Sequence, residues 1–148
     1  GAFLPPLSNA VGSEGRVYAC EIQKELVNRL AVFAREKKLG NIEPLWSDIE
    51  HPGGTKLADG LLDGGVLANV LFQVEDRPIM FAELARVIRK GGKLFVIDWT
   101  ESFDGMGPHA DHVVSKEAVQ KDAESSGFRY ERDFPAGEHH YGVAFRRV

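Results

Sequence analysis

Cysteine and long hydrophobic runs are nearly absent from this chain. Cys20 is the only cysteine in 148 residues, so no disulfide can form within the chain, and a reducing compartment such as the cytoplasm is expected. No apolar run approaches the roughly 20 residues that a membrane-spanning helix needs. The start of the chain also has no basic segment of the kind that opens a secretory signal. We therefore expect a cytoplasmic protein without a membrane partner.

Basic charge is scarce as well. The 18 Lys and Arg residues are outnumbered by 22 Asp and Glu residues, and the net charge is -4. The main basic cluster, at residues 86–93, has the spacing of a solvated helix end. A mildly acidic chain of this kind is a poor partner for duplex nucleic acid. With 43% hydrophobic residues, the chain can build one core, so a single domain over residues 1–148 is expected.

Helical and strand-like patterns alternate along the chain. Residues 94–97 form a continuous apolar run typical of a buried strand, whereas apolar residues in the helices recur at helical spacing. The predicted helices cover residues 3–10, 23–38, 76–89 and 115–126, and the predicted strands cover residues 16–20, 41–46, 61–68, 93–98, 128–134 and 141–146. Gly40 is expected to cap the second helix, Gly91 and Gly92 to end the third, and Pro44 to place its strand at a sheet edge. The alternation predicts an α/β fold with a Rossmann-like, doubly wound and mostly parallel sheet that ends in an antiparallel hairpin.

The strand at residues 16–20 is followed directly by Glu21. A Rossmann-like sheet presents an acid to a ribose diol at this position, the carboxyl end of its second strand. The opening residues 1–4, Gly-Ala-Phe-Leu, are typical of the end of a glycine-rich loop that enters a helix. Together these features indicate a nucleotide-type cofactor. Glu21 taken alone also fits a plain surface acid at a strand end.

In their order and spacing, these features resemble the class I S-adenosylmethionine-dependent methyltransferases. The resemblance is carried by residues 1–8, 17–23, 69–76 and 85–94, and it runs over nearly the whole chain. It implies S-adenosylmethionine as the cofactor and transfer of its methyl group to a small-molecule acceptor. A nicotinamide-dependent dehydrogenase is a weaker alternative, because such an enzyme needs the complete phosphate-binding glycine loop.

The resemblance assigns cofactor binding to six positions. They are Gly1, Glu21, Ile22, Asp48, Ile49 and Asn69. Glu21 would accept hydrogen bonds from both ribose hydroxyls, which suits a carboxylate. Asp48 and Ile49 would lie at the adenine, although Asp48 also fits a turn or helix-capping acid. Asn69 would lie beside the methionine part, and Gly1 would be the last glycine of the loop.

The acceptor side has its own candidates, Asp98, Trp99, His109, His112 and His140. Asp98 and Trp99 follow the most buried strand, where doubly wound folds bind ligands, although Trp99 also fits a packing role. The histidine spacing matches no standard zinc pattern, so no metal site is expected. Methyl transfer depends mainly on alignment of the acceptor, and no catalytic residue is predicted. The loops at residues 51–60 and 100–114 are expected to shape the acceptor pocket.

The chain departs from the family at its start. The first two loop glycines and the central strand before them are not in it, which would leave two pieces of sheet with unpaired backbone groups. An N-terminally truncated domain, direct pairing of the flanking strands at 16–20 and 61–68, or a strand from a second copy in a swapped homodimer would each account for this. The alternative function is a non-catalytic Rossmann-like fragment that acts through assembly, with impaired cofactor binding.

Overall fold

The computed structural model describes residues 2–103 and 105–148. Helices and strands alternate through these residues, which confirms the predicted α/β class. The helices are α1 (Leu4–Val11), α2 (Lys24–Glu36), α3 (Arg77–Val87) and α4 (Lys116–Ser125), and the strands are β1 (Val17–Glu21), β2 (Ile42–Trp46), β3 (Leu62–Ala68), β4 (Ile88–Trp99), β5 (Phe128–Pro135) and β6 (His140–Arg147). Two short 3-10 turns follow β3 and β4, at Leu71–Gln73 and Ala110–His112.

The described residues divide into two compact units, the first formed by residues 2–49 and 53–56 and the second by the remainder. The single domain predicted over residues 1–148 stays a prediction. β1 pairs with β2 in a two-stranded parallel sheet, whereas β3 belongs to a four-stranded sheet. Direct pairing of β1 with β3, one of the three expected arrangements at the start of the fold, is therefore not what the described residues show.

In the first unit, α2 connects β1 to β2 and packs on both strands. Its inward face carries Leu26, Leu30, Phe33 and Ala34, and Ala34 is buried. These apolar residues recur at the three- and four-residue spacing of an amphipathic helix. The result is a β–α–β unit with parallel strands, in which the carboxyl ends of β1 and β2 lie at the same edge.

In the second unit, the strand order is β3–β4–β6–β5. β3 and β4 are parallel, and β6 is antiparallel to both β4 and β5, which confirms the predicted C-terminal hairpin. The core contains Met80 and Phe81 from α3, Leu94 and Val96 from β4, and Phe145 from β6, all fully buried. Among the described residues, no helix combines the length and the apolar character needed to cross a membrane.

The boundary between α3 and β4 differs from the prediction. The helix ends at Val87, and β4 already runs through Gly91 and Gly92. A Cβ atom at Gly92 would lie 2.7 Å from the carbonyl oxygen of Asp63. Gly92 is therefore needed for the close approach of β4 to its neighbouring strand, and its sequence position after a helical pattern does not make it a helix end.

Candidate functional site

Glu21 is the last residue of β1, and its carboxylate is held at the strand end by backbone amides. Glu21 Oε2 accepts hydrogen bonds from the N–H of Ile22 at 2.6 Å and from that of Gln23 at 3.1 Å. A carboxylate has about four acceptor positions, so these two bonds leave capacity for further donors. The side chain is half-buried. It is thus a fixed, accessible acceptor at the carboxyl end of a parallel strand.

Trp46, the last residue of β2, lies opposite Glu21 in the strand register. Its indole N–H donates to the carbonyl of Ile22 at 2.7 Å, and its side chain is exposed. The ammonium groups of Lys24 and Lys56 lie 4.2 and 4.5 Å from the ring centroid, within the range of cation–π attraction. Sequence reasoning missed this cluster. The one available signal was that Trp46 ends the strand paired with that of Glu21.

The predicted adenine residues follow β2 directly. The backbone N–H of Asp48 donates to the carbonyl of Gly54 at 3.2 Å, and both residues belong to the first unit. Asp48 is exposed and Ile49 is half-buried. Because β1 and β2 are parallel and in register, Asp48 and Ile49 leave the sheet at the same edge as Glu21 and Ile22. The structure therefore brings four of the six predicted cofactor residues to one edge.

Asn69 follows β3 in the second unit and has a left-handed backbone, with φ of 56°. Its N–H donates to the carbonyl of Ile97 at 2.9 Å, and its side chain is exposed. Gly1, the remaining predicted cofactor residue, lies outside the described residues. Asn69 is thus the one predicted cofactor residue in the second unit, at the carboxyl end of the parallel pair β3 and β4.

Asp98, which is predicted on the acceptor side, is held by backbone amides at the end of β4. It is 1% exposed. Asp98 Oδ2 accepts from the N–H groups of Val70 and Leu71, both at 3.1 Å, and Oδ1 accepts from the N–H of Trp99 at 2.9 Å. Tyr141 lies opposite Asp98 in the β4–β6 register. Burial, and then the negative charge of Asp98, raise the pKa of the Tyr141 phenol well above its ordinary range, so Tyr141 stays a neutral hydroxyl.

Trp99 and His140 lie opposite each other in the register of β4 and β6. Their ring centroids are 4.2 Å apart. Beside them, Phe103 stacks on His139 with centroids 3.8 Å apart, and His139 Nδ1 lies 3.2 Å from a carboxylate oxygen of Glu101. Two aromatic–imidazole pairs therefore stand at the end of β4 in the second unit. The Phe103–His139 pair was not predicted, because it joins a loop to a hairpin 36 residues further on.

His109 precedes the 3-10 turn after β4, and His112 is the last residue of that turn. Both are exposed, and their ring centroids are 6.0 Å apart. His109 Nδ1 accepts a hydrogen bond from the N–H of Asp111 at 3.3 Å, as the capping group of the turn. Within residues 2–103 and 105–148, no group of three or more His, Cys, Asp or Glu side chains is placed to hold a metal ion.

Comparisons with known proteins agree with this arrangement. A family model described as a methyltransferase domain matches residues 1–96. An S-adenosylmethionine-dependent methyltransferase from Aquifex aeolicus shares 30% identity, with a TM-score of 0.89 over 99% of this chain and 76% of that one. A methyltransferase of the same cofactor class from Methanosarcina mazei shares 13% identity, with a TM-score of 0.76 over 97% and 86%.

A third structure shares the fold and was solved with ligands. Geranyl diphosphate C-methyltransferase from Streptomyces coelicolor, in complex with Mg²⁺, geranyl diphosphate and S-adenosyl-L-homocysteine, is 13% identical, with a TM-score of 0.69 over 91% of this chain and 65% of that one. No protein of curated function matches the sequence. The fold and these matches define a class I S-adenosylmethionine-dependent methyltransferase domain. The chain belongs to the methyltransferase domain family, whose model covers about two thirds of it.

Proposed function

We propose that this protein transfers a methyl group from S-adenosylmethionine to a small-molecule acceptor in the cytoplasm. The observation that carries the proposal is the Glu21 carboxylate, which two backbone amides hold at the end of β1 with acceptor capacity to spare. A ribose diol offers two hydroxyl donors, and a carboxylate can receive both. The donor and acceptor chemistry at this strand end therefore fits the cofactor of the family.

Three further cofactor positions lie at the same sheet edge as Glu21, whereas Asn69 follows β3 in the second unit. Ile22 and Ile49 would supply apolar surface to the adenosine, and Asp48 would accept from the adenine amino group. Asn69 would present its amide and backbone to the methionine part. When bound, S-adenosylmethionine supplies an electrophilic methyl group and a neutral thioether leaving group, so the protein needs to supply alignment above all.

The acceptor side is proposed at the end of β4. Trp99 and His140 offer aromatic surface for a small molecule, and His109 and His112 are exposed at the turn that follows. An oxygen or nitrogen acceptor must lose a proton on methylation. We propose His109, His112 and His140 as the candidate side chains to accept that proton.

Calorimetric titration with S-adenosylhomocysteine tests the proposal. We expect wild-type protein to bind in the micromolar range and Glu21→Ala to bind at least about tenfold more weakly, since hydrogen bonds to a charged group contribute about 1.5–3 kcal/mol each. Glu43→Gln is the matched control, because Glu43 lies on the partner strand and pairs with Arg16 at 3.2 Å. That variant should bind within about twofold of wild type.

Two results would contradict the proposal. A folded wild-type sample that gives no heat with S-adenosylhomocysteine would favour the alternative, a non-catalytic fragment that acts through assembly. Light scattering then distinguishes a swapped dimer from a monomer. Equal binding by Glu21→Ala and wild type would show that another part of the surface holds the cofactor.

A further inference from the structure

A buried carboxylate ties the end of β4 to the turn that follows β3. Asp98 is 1% exposed, and its two oxygens accept three backbone N–H groups, from Val70, Leu71 and Trp99. Three such donors explain how an acid is accommodated away from solvent, because a buried charge needs hydrogen-bond partners. Two of the three donors belong to the turn after β3. Asp98 therefore fixes the backbone of a segment that lies 27 and 28 residues earlier in the chain.

That segment has an unusual backbone which needs such support. Asn69 has φ of 56°, in the left-handed region that asparagine tolerates better than most residues. The next residues enter a 3-10 turn at Leu71, whose side chain is 1% exposed. A strained backbone persists where the surroundings over-determine it, and such residues cluster at ligand sites. Three features hold this backbone in place. The N–H of Asn69 donates to the carbonyl of Ile97, the side chain of Leu71 is buried, and the Asp98 carboxylate accepts the N–H groups of Val70 and Leu71.

We propose that Asp98 is a positioning residue for the cofactor and that it does not touch the acceptor. Its carboxylate fixes residues 69–71 in the arrangement that receives the methionine part of S-adenosylmethionine. This inference rests on the proposed function, since it assigns the segment after β3 to that part of the cofactor. The proposal also explains why a residue at the carboxyl end of β4, where doubly wound folds bind ligands, is turned inward.

Asp98→Asn removes the charge and one of the two acceptor oxygens. The new amide group would place an N–H donor where the N–H of Val70, Leu71 or Trp99 now meets an oxygen, and two donors cannot bond to each other. The segment after β3 should lose its fixed geometry as a result. The substitution should then weaken only those ligands that contain the part bound by this segment.

Two ligands separate this effect from a general loss of structure. S-adenosylhomocysteine contains the amino-acid part, whereas adenosine lacks it. In calorimetric titrations we expect Asp98→Asn to weaken S-adenosylhomocysteine at least tenfold and adenosine less than twofold. Glu83→Gln is the matched control, because Glu83 is also a buried carboxylate and pairs with Arg86 at 2.7 Å. It should change both affinities by less than twofold.

Amide hydrogen exchange tests the positioning itself without any ligand. In Asp98→Asn, exchange at Val70 and Leu71 should accelerate at least tenfold relative to the amides of β6, and Glu83→Gln should leave that ratio unchanged. If Asp98→Asn does not fold, Asp98→Glu, which keeps the charge and moves it by one methylene, should show the same selective loss to a smaller degree.

The outcomes are distinguishable. Wild-type protein that binds S-adenosylhomocysteine, combined with a variant whose ratio of the two affinities is unchanged, overturns the role of Asp98 and leaves the proposed function standing. Wild-type protein that binds neither ligand overturns the proposed function, and the role of Asp98 falls with it. A selective loss for S-adenosylhomocysteine together with faster exchange at Val70 and Leu71 supports both.

Discussion

Ser8 and Asn41 are joined by two separate hydrogen bonds. The hydroxyl of Ser8 donates to Asn41 Oδ1, and Asn41 Nδ2 donates back to the carbonyl of Ser8 at 2.9 Å. The same Nδ2 group also donates to the carbonyl of Gly12 at 2.9 Å. At the end of α1, where a helix runs out of its own backbone donors, Asn41 adds a second donor to these carbonyls, which also accept the N–H groups of Gly12 and Gly15 at 3.3 and 3.2 Å. An isolated helix of eight residues is not stable in water, so this side chain fixes α1 to the start of β2.

Asn41→Ala should therefore destabilise the protein. Three hydrogen bonds of about 0.5–1.5 kcal/mol each are removed, while the carbonyls of Ser8 and Gly12 keep their backbone donors, so we expect a loss of about 2 kcal/mol. Urea unfolding followed by circular dichroism measures it. Asn28→Ala, at an exposed position of α2, is the control and should change the free energy of unfolding by less than about 0.5 kcal/mol. An equal effect of the two substitutions would show that the contact is unimportant.

Hydrophobic periodicity was sufficient to predict α2 and the buried part of β4, because both are long and strongly patterned. It placed two boundaries wrongly. Gly40 was expected at the end of α2, but the left-handed residue there is Lys38, with φ of 57°. Gly92 was expected to end α3, but it serves the approach of β4 to Asp63. Both errors concern glycine, whose role depends on neighbours that a local pattern does not contain.

In the candidate site too, some features could be predicted from local sequence and others could not. The position of Glu21 at the end of β1 could be predicted because the acid and its strand are adjacent in sequence. The lysine contacts of Trp46 could not be, because Lys56 reaches the ring from a turn ten residues later and adopts a left-handed backbone with φ of 64°. The partners of Asp98 could not be predicted either, because they depend on the register of β3 against β4. Contacts that depend on strand register can be identified only from the folded sheet.

A second prediction concerns acid stability. Glu131 in β5 accepts a hydrogen bond from Arg146 Nε at 3.0 Å, and Lys93 Nζ lies 3.4 Å from its other oxygen. The hydrogen bond from Arg146, and then the positive charges, lower the pKa of Glu131 below its ordinary value of 4.5. A group whose pKa is lowered by folding stabilises the protein above its unfolded pKa and loses this contribution as the pH falls through the folded pKa.

Glu131→Gln should therefore cost more stability at pH 7 than in acid, because the contribution of the wild-type carboxylate is lost as the pH falls through its lowered folded pKa. Urea midpoints for both proteins at pH 7 and at pH 3.5 measure this difference. The control is the same substitution in an Arg146→Gln background, which lacks the main partner and should show a smaller dependence on pH. A cost that is identical at both pH values in the wild-type background would refute the prediction.

A third prediction separates a steric clash from backbone strain in the loop after β4. Gly105 and Gly107 both have a left-handed backbone, with φ of 71° and 79°. A Cβ atom at Gly107 would lie 2.8 Å from the indole ring of Trp99, whereas a Cβ at Gly105 would meet nothing within 4 Å. Alanine at either position carries the left-handed strain of about 1–2 kcal/mol, but only Gly107→Ala adds overpacking, of about 1–3 kcal/mol.

Gly107→Ala should consequently be the less stable variant by about 2 kcal/mol, and it should displace Trp99 from His140. The displacement can be followed by fluorescence in a Trp46→Phe background, where Trp99 is the only tryptophan. Gly105→Ala should keep the emission spectrum of the Trp46→Phe parent, because its added methyl group points into open space. If the two alanine variants have the same spectrum and the same stability, Gly107 does not pack against Trp99, and the aromatic surface proposed for the acceptor is not held from that side.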